Sequence, residues 1–229
     1  MSQQLRRATL IACSATAVLG LAACGPDAIP GPAAGTDGLP NGTKLNAMLL
    51  PATALPPKLK LDPSGTKSTG DGFNPPISPS AVPASKACDM LNGTGWINAA
   101  GINAASFAQN DYMDDSQDMF AQELDGYRGN DAQTVMANLK AALTACHTYT
   151  VTQNGQNYTA TVTMQSLPGV GDDALQAVIT SPDWTGGSTL VAARVGSIVV
   201  TTYDNDQRNT GTAGVDLTKT LAKNAASAR

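Results

Sequence analysis

The chain is 229 residues long, 42% hydrophobic and 14% charged, with a formal net charge of −4, a single histidine and four cysteines. An acidic balance with scattered basic residues excludes a charge-driven hold on nucleic acid or on an anionic lipid surface. One histidine excludes a polyhistidine metal centre, and no cofactor motif occurs in its proper context.

Arg6 and Arg7 precede an apolar run from Thr9 to Leu21. A membrane-spanning helix needs about 20 apolar residues, whereas the core of a signal peptide needs only about 7–15, so the run reads as the latter. It ends in Leu21-Ala22-Ala23-Cys24, which looks like a lipobox, where a cysteine receives diacylglycerol before cleavage in front of it. The order of charged stretch, apolar stretch and small-small-Cys triplet makes residues 1–23 a lipoprotein signal peptide and Cys24 the lipidation site, rather than an ordinary thiol. Arg6-Arg7 lacks the bulky aromatic residue usual downstream of a twin-arginine signal. Cleavage removes both arginines and no acid, taking the charge from −4 to −6. Attachment to the extracytoplasmic face of the cell membrane then rests on the diacylglycerol anchor alone.

Residues 24–44 are rich in Gly, Pro and Ala and are expected to be a flexible tether reaching on the order of 25 Å. Cys13 leaves with the signal peptide and Cys24 is used by lipid, so Cys88 and Cys146 remain to pair in an oxidising compartment. Closing that loop of roughly 58 residues contributes about 4 kcal/mol in the chain-entropy model.

Apolar character returns over 46–61, and the alternation of Leu59 with Leu61 suggests a short strand. The Pro/Ser-rich stretch 62–85 is either a long surface loop, if 45–61 packs on the domain, or more tether, if folding starts near Ser85. Ser85 is a candidate N-cap for a short helix carrying Cys88. Residues 102–108 and 119–127 resemble strands. Asn130 with Gln133 resembles a capping box, and Val135, Leu139, Ala142, Leu143 and Cys146 then recur at helical spacing. Asn154-Gly155 marks a hairpin with Tyr149 opposite Ala160 and Val151 opposite Tyr158, and threonines on the other face. A further strand is expected over 174–180. Gly196-Ser197 turns a second hairpin whose two faces are both largely apolar, as in central strands. A last helix after Gly211 places Leu217, Leu221 and Ala225 four apart. Together these predict an α+β domain with a mainly antiparallel sheet, helices packed on one face and one disulfide.

Candidate chemistry is sparse. His147 adjoins Cys146, but neighbouring positions point apart, and no nucleophile elbow occurs. Gly169-Val170-Gly171-Asp172-Asp173-Ala174 fits a dinucleotide pattern only superficially and reads as a turn entering a strand. Asp111, Asp114, Asp115 and Asp118, and the pair Asp204 and Asp206, lack EF-hand spacing and read as solvated loop acids. The sequons at Asn41, Asn92 and Asn157 are discounted for a bacterial lipoprotein. No catalytic or metal-binding residue is assigned. Arg194 shares a mostly apolar face with Tyr203, so it needs an internal acid partner or faces a cleft where, with Tyr203, it meets an anionic ligand.

Met48-Leu49-Leu50, Ala54-Leu55-Pro56, Cys88-Asp89-Met90-Leu91, the 127–146 segment, Gly171-Asp172-Asp173-Ala174-Leu175 and Arg194-Val195-Gly196-Ser197-Ile198-Val199-Val200 occur in an order that resembles the PknH-like extracellular sensor domain of actinobacterial lipoproteins and receptor kinases. The resemblance spans 45–229. It implies an α+β domain that includes 45–61 and has a cleft for an unidentified ligand. Unlike the receptor-kinase form, this sequence carries no kinase motifs and permits one disulfide. The resulting expectation is a non-catalytic ligand-binding or sensor-like module. Its competitors are an accessory protein docking onto another envelope protein, and a secreted hydrolase using Asp172 or Asp173.

Overall fold

The structure, a computed structural model, describes residues 35–36, 38–206 and 212–227. Cys24, the signal segment and most of the tether lie outside the described residues. In chain order come α1 (Gly42–Met48), β1 (Lys60–Ser68), α2 (Ala84–Met90), a 3₁₀ turn (Trp96–Ala100), β2 (Ser106–Met113) and β3 (Met119–Gly126). They are followed by α3 (Asp131–Ala145), β4 (Thr148–Gln153), β5 (Gln156–Ser166), β6 (Asp173–Thr180), β7 (Gly187–Val195), β8 (Ile198–Asp206) and α4 (Thr212–Ser227).

All eight strands form one antiparallel sheet in the order β1-β2-β3-β8-β7-β6-β5-β4. The α+β class holds. Both hairpins fall in the register their turns dictate: Tyr149 faces Ala160, and Val191, Ala193 and Val195 face Thr202, Val200 and Ile198. Asn154 and Gly155 both have positive φ, the backbone a two-residue turn needs to match strand twist.

Helices occupy both faces of the sheet, not one. Against the face bearing Leu190, Ala192 and Val199 pack α2, the 3₁₀ turn and α3, around the fully buried Trp96, Leu139 and Leu143. On the opposite face, bearing Ala193, Val195 and Val200, lie α1 and α4, which contribute Leu45, Met48, Leu221 and Ala225. The two-sided apolar character of β7 and β8 requires this, because an uncovered face of such strands would leave apolar surface in water.

Residues 45–61 belong to the second cluster, through Leu45, Met48, Leu49, Leu50 and Leu55. Helix formation starts at Gly42, where the Asn41 side chain accepts a hydrogen bond from the Lys44 N–H and so satisfies an orphan donor of the first turn. The expected loop at 62–85 begins later, since β1 continues to Ser68. Pro63 is tolerated because β1 is an edge strand with an irregularity between Asp62 and Lys67. Likewise β2 starts at Ser106 rather than 102, after Gly101 closes the 3₁₀ turn with φ 70°. Asn130 is the N-cap of α3 through its backbone alone; its side chain makes no capping bond.

Candidate functional site

Cys88 and Cys146 form a disulfide with a Cα separation of 5.4 Å, linking α2 to the end of α3. Their sulfurs sit in the core cluster under the first helical layer. The bond ties α2 to the end of α3, and Asn92 follows just after α2. Asn92 in turn accepts a hydrogen bond from the Tyr149 hydroxyl at 2.7 Å.

Asn92 forms one wall of a cleft of about 460 Å³. The end of β4 (151–153) forms a second wall, the β6–β7 connection and first residues of β7 (183–188) a third, and Tyr203 and Asn205 of β8 close it. A volume of that size lies within the range of roughly 300–1,000 Å³ typical of small-ligand sites. Trp184 stands half-buried in the connection, 6.4 Å from the Tyr158 ring, and its N–H has no acceptor among the described residues. The Tyr203 hydroxyl is held by Ser188 at 3.3 Å, and burial pushes its ionisation upward, so it stays neutral. Gly187 cannot carry a side chain, because a Cβ there would meet the Ile179 carbonyl oxygen at 2.6 Å. Among the described lining residues Asp183 is the one charged side chain, with no lysine, arginine or histidine.

Tyr203 therefore reaches a cleft, while Arg194 does not reach the same one. Arg194 pairs with Val199 at the turn end of the β7–β8 hairpin, and Tyr203 pairs with Leu190 further along it. The Arg194 guanidinium instead donates to Asp172 Oδ2 at 3.1 Å and to the Gly196 carbonyl at 3.3 Å, the acid-partner alternative of the sequence reading. Asp173, beside it, is held by Lys140 of α3 at 2.8 Å. The two acids of a hydrolase reading are thus engaged by two separate cations. Gly169 and Gly171 form a positive-φ turn entering β6, with no helix behind them. His147 is exposed.

The acids are placed differently from a set of solvated loop residues. Asp111 lies inside β2 and is buried, as are Asp114 and Asp118, whereas Asp115 is exposed. The β3–β8 pairing carries Asp114 and Asp118 to the recess that holds Asp204 and Asp206. There the Asp204 carboxylate accepts from the Gly214 N–H at 2.9 Å, and burial raises its pKa to about 6. Among the described residues no three such side chains converge as a metal-ligand set.

A second polar group went unnoticed in the sequence. Glu123 and Asp125, two apart on β3, point to the same face as Ala121 and Tyr127, beneath the first helical layer. Both are buried, and Glu123 Oε2 and Asp125 Oδ2 have no hydrogen-bond partner. Thr201, opposite Glu123 on β8, also has an unpartnered hydroxyl. Burial raises the Glu123 pKa to about 8, with the Asp111 charge adding to it, and pushes Asp125 well above the carboxylate range. Glu123 therefore holds its proton at neutral pH.

Comparison with solved structures aligns the chain with the extracellular domain of PknH from Mycobacterium tuberculosis at a TM-score of 0.58 and 14% identity, covering 82% of this chain and 97% of that one. The two share a fold. At that identity the likeness extends to the PknH-like architecture and no further. No protein-family model and no curated protein matches the sequence. Among the described residues no helix is long and apolar enough to cross a membrane.

Proposed function

We propose that this chain is a non-catalytic, sensor-like module that stands outside the cytoplasmic membrane, held by lipid on Cys24, and binds a small ligand in the Trp184 cleft. The observation that carries the reading is the cleft itself: walls from four separate segments, a half-buried tryptophan, neutral polar groups, and Asn92 held by the Tyr149 hydroxyl. A fold shared with an extracellular domain supports the placement. A non-catalytic role is inferred from the described cleft lining, which offers no paired acids, no histidine and no cation.

Thermal denaturation of the full chain against a library of metabolites, glycans and lipids tests the proposal. A ligand that raises the midpoint in the parent but not in Trp184→Ala supports it; midpoint shifts that survive the substitution overturn the assignment of the cleft. One feature favours docking onto another envelope protein instead. Thr148, Thr150, Thr159 and Thr161 form an exposed face on β4 and β5, and β4 is a sheet edge with unpaired backbone groups.

A further inference from the structure

We infer that the cleft takes the end of a neutral saccharide, with a sugar face laid against the Trp184 indole. This rests on the reading of the cleft as the ligand site and narrows its ligand by chemistry.

Charge removes the first alternatives. An anionic group entering the cleft would lose hydration and meet no lysine, arginine or histidine among the described lining residues. A cation would find Asp183, but that side chain is exposed, so solvent screens the attraction.

What remains is a lining of amides and hydroxyls: Asn92, Thr152, Gln153, Thr185, Ser188 and Asn205. Gln153 offers donors and an acceptor and Thr185 a hydroxyl that does both, Asn92 keeps its amide donors, and the hydroxyls of Thr152 and Ser188, which donate to Asn157 and Tyr203, still accept. A polyol needs that combination, because every sugar hydroxyl also donates and accepts, so a mixed lining pairs with it and leaves no buried group unsatisfied. The apolar part of the cleft is supplied by Val151 and the rings of Trp184 and Tyr203. A pyranose is apolar on its C–H faces and polar at its rim, and an indole with an apolar face and polar neighbours suits that division. Orientation is set in advance, since Tyr203 is fixed by Ser188 and the Asn92 carbonyl oxygen by Tyr149.

Tryptophan emission provides the assay. The chain has two tryptophans; Trp96 is fully buried in the core, so a saccharide-dependent change reports Trp184. Full-length chain is titrated with maltose, cellobiose and mannobiose, with glucose 6-phosphate as the anionic probe and choline as the cationic one. At least one neutral disaccharide should bind at millimolar concentration or below. By calorimetry Trp184→Ala should weaken it about tenfold or more, with the thermal midpoint held. Gln153→Ala should weaken it without touching either ring. Asp183→Asn should leave saccharide binding within about twofold and would abolish capture of a cation. Binding of glucose 6-phosphate or choline in preference to every neutral sugar overturns the saccharide assignment while leaving the cleft as a ligand site. Silence from the three disaccharides also overturns it, and the library screen above then decides the cleft reading separately.

Discussion

Replacing Glu123 by glutamine should change how stability depends on pH. In the folded chain Glu123 holds its proton up to about pH 8, against an ordinary value of 4.5. Unfolding returns the side chain to water, where it ionises, so above about pH 4.5 the unfolded state binds fewer protons than the folded one. Stability therefore falls as pH rises, by about 1.4 kcal/mol per unit for each such group, until the folded pKa is passed. Between pH 5.5 and 7.5 Glu123 alone costs the fold about 3 kcal/mol, or roughly 6–11 °C in midpoint for a domain of this size. Asp125, raised by its own burial and by Glu123, acts in the same direction, as do Asp111 and Asp204. The other charged or titratable groups bearing on the pair are Lys67, which opposes the Glu123 shift, Tyr127, and Asp131, which bears on Tyr127. Glutamine keeps the shape and removes the proton equilibrium. Thermal unfolding followed by circular dichroism at half-unit steps should show a midpoint that declines with pH in the parent and declines markedly less steeply in Glu123→Gln. A parent midpoint that is flat or rises from pH 5.5 to 7.5, or a variant with the parent's slope, refutes the protonated-carboxyl account.

Cys24→Ala should move the protein from the membrane fraction to the soluble one, checked by fractionation of cells expressing the full chain; continued tight membrane association would exclude the anchor. The double replacement Cys88→Ala with Cys146→Ala should lower stability by about 2–5 kcal/mol in urea titrations, since the bridge spans 58 residues. Gly171→Ala should cost about 1–3 kcal/mol, because φ is +59° and the new Cβ would collide with the Arg194 carbonyl oxygen. Gly93→Ala, with open space around it, should stay within about 0.5 kcal/mol by the same titration.

The parts of the fold legible in the sequence are those fixed by local geometry. Asn154-Gly155 and Gly196-Ser197 each set a register, and the period of two then assigned every side chain of four strands to a face. The disulfide followed from cysteine count. What was not legible depends on which layer covers which face. Glu123 and Asp125 alternate with Gln122 and Leu124 as a wet face would, and nothing nearby says that the layer containing α2 and α3 lies over them. The roughly two turns of α1 sit directly after a Gly/Pro-rich run, too short to show a period. In the cleft, Tyr203 was reached through its strand, whereas Trp184 sits in a connection with no period to read; a lone aromatic between Ser181-Pro182-Asp183 and Thr185-Gly186-Gly187 was its one visible signal.

Strand order has a consequence for how the chain assembles. β3 lies between β2, its neighbour in sequence, and β8, the last strand, with Ala121 opposite Tyr203. Two local meanders can form early, but the join between them waits for the C-terminal strand and its long loop closure. Until then the outer edge of β3 is bare, with Glu123 and Asp125 in water and ionised at neutral pH. Inward-facing charges on an open edge oppose pairing with another molecule's edge. Arrival of β8 buries Glu123 and makes it take up a proton, so refolding in lightly buffered indicator dye should register proton uptake in the phase that joins the two halves. The side chains that weaken the finished sheet as pH rises through neutrality should also oppose edge-to-edge pairing of its half-built form.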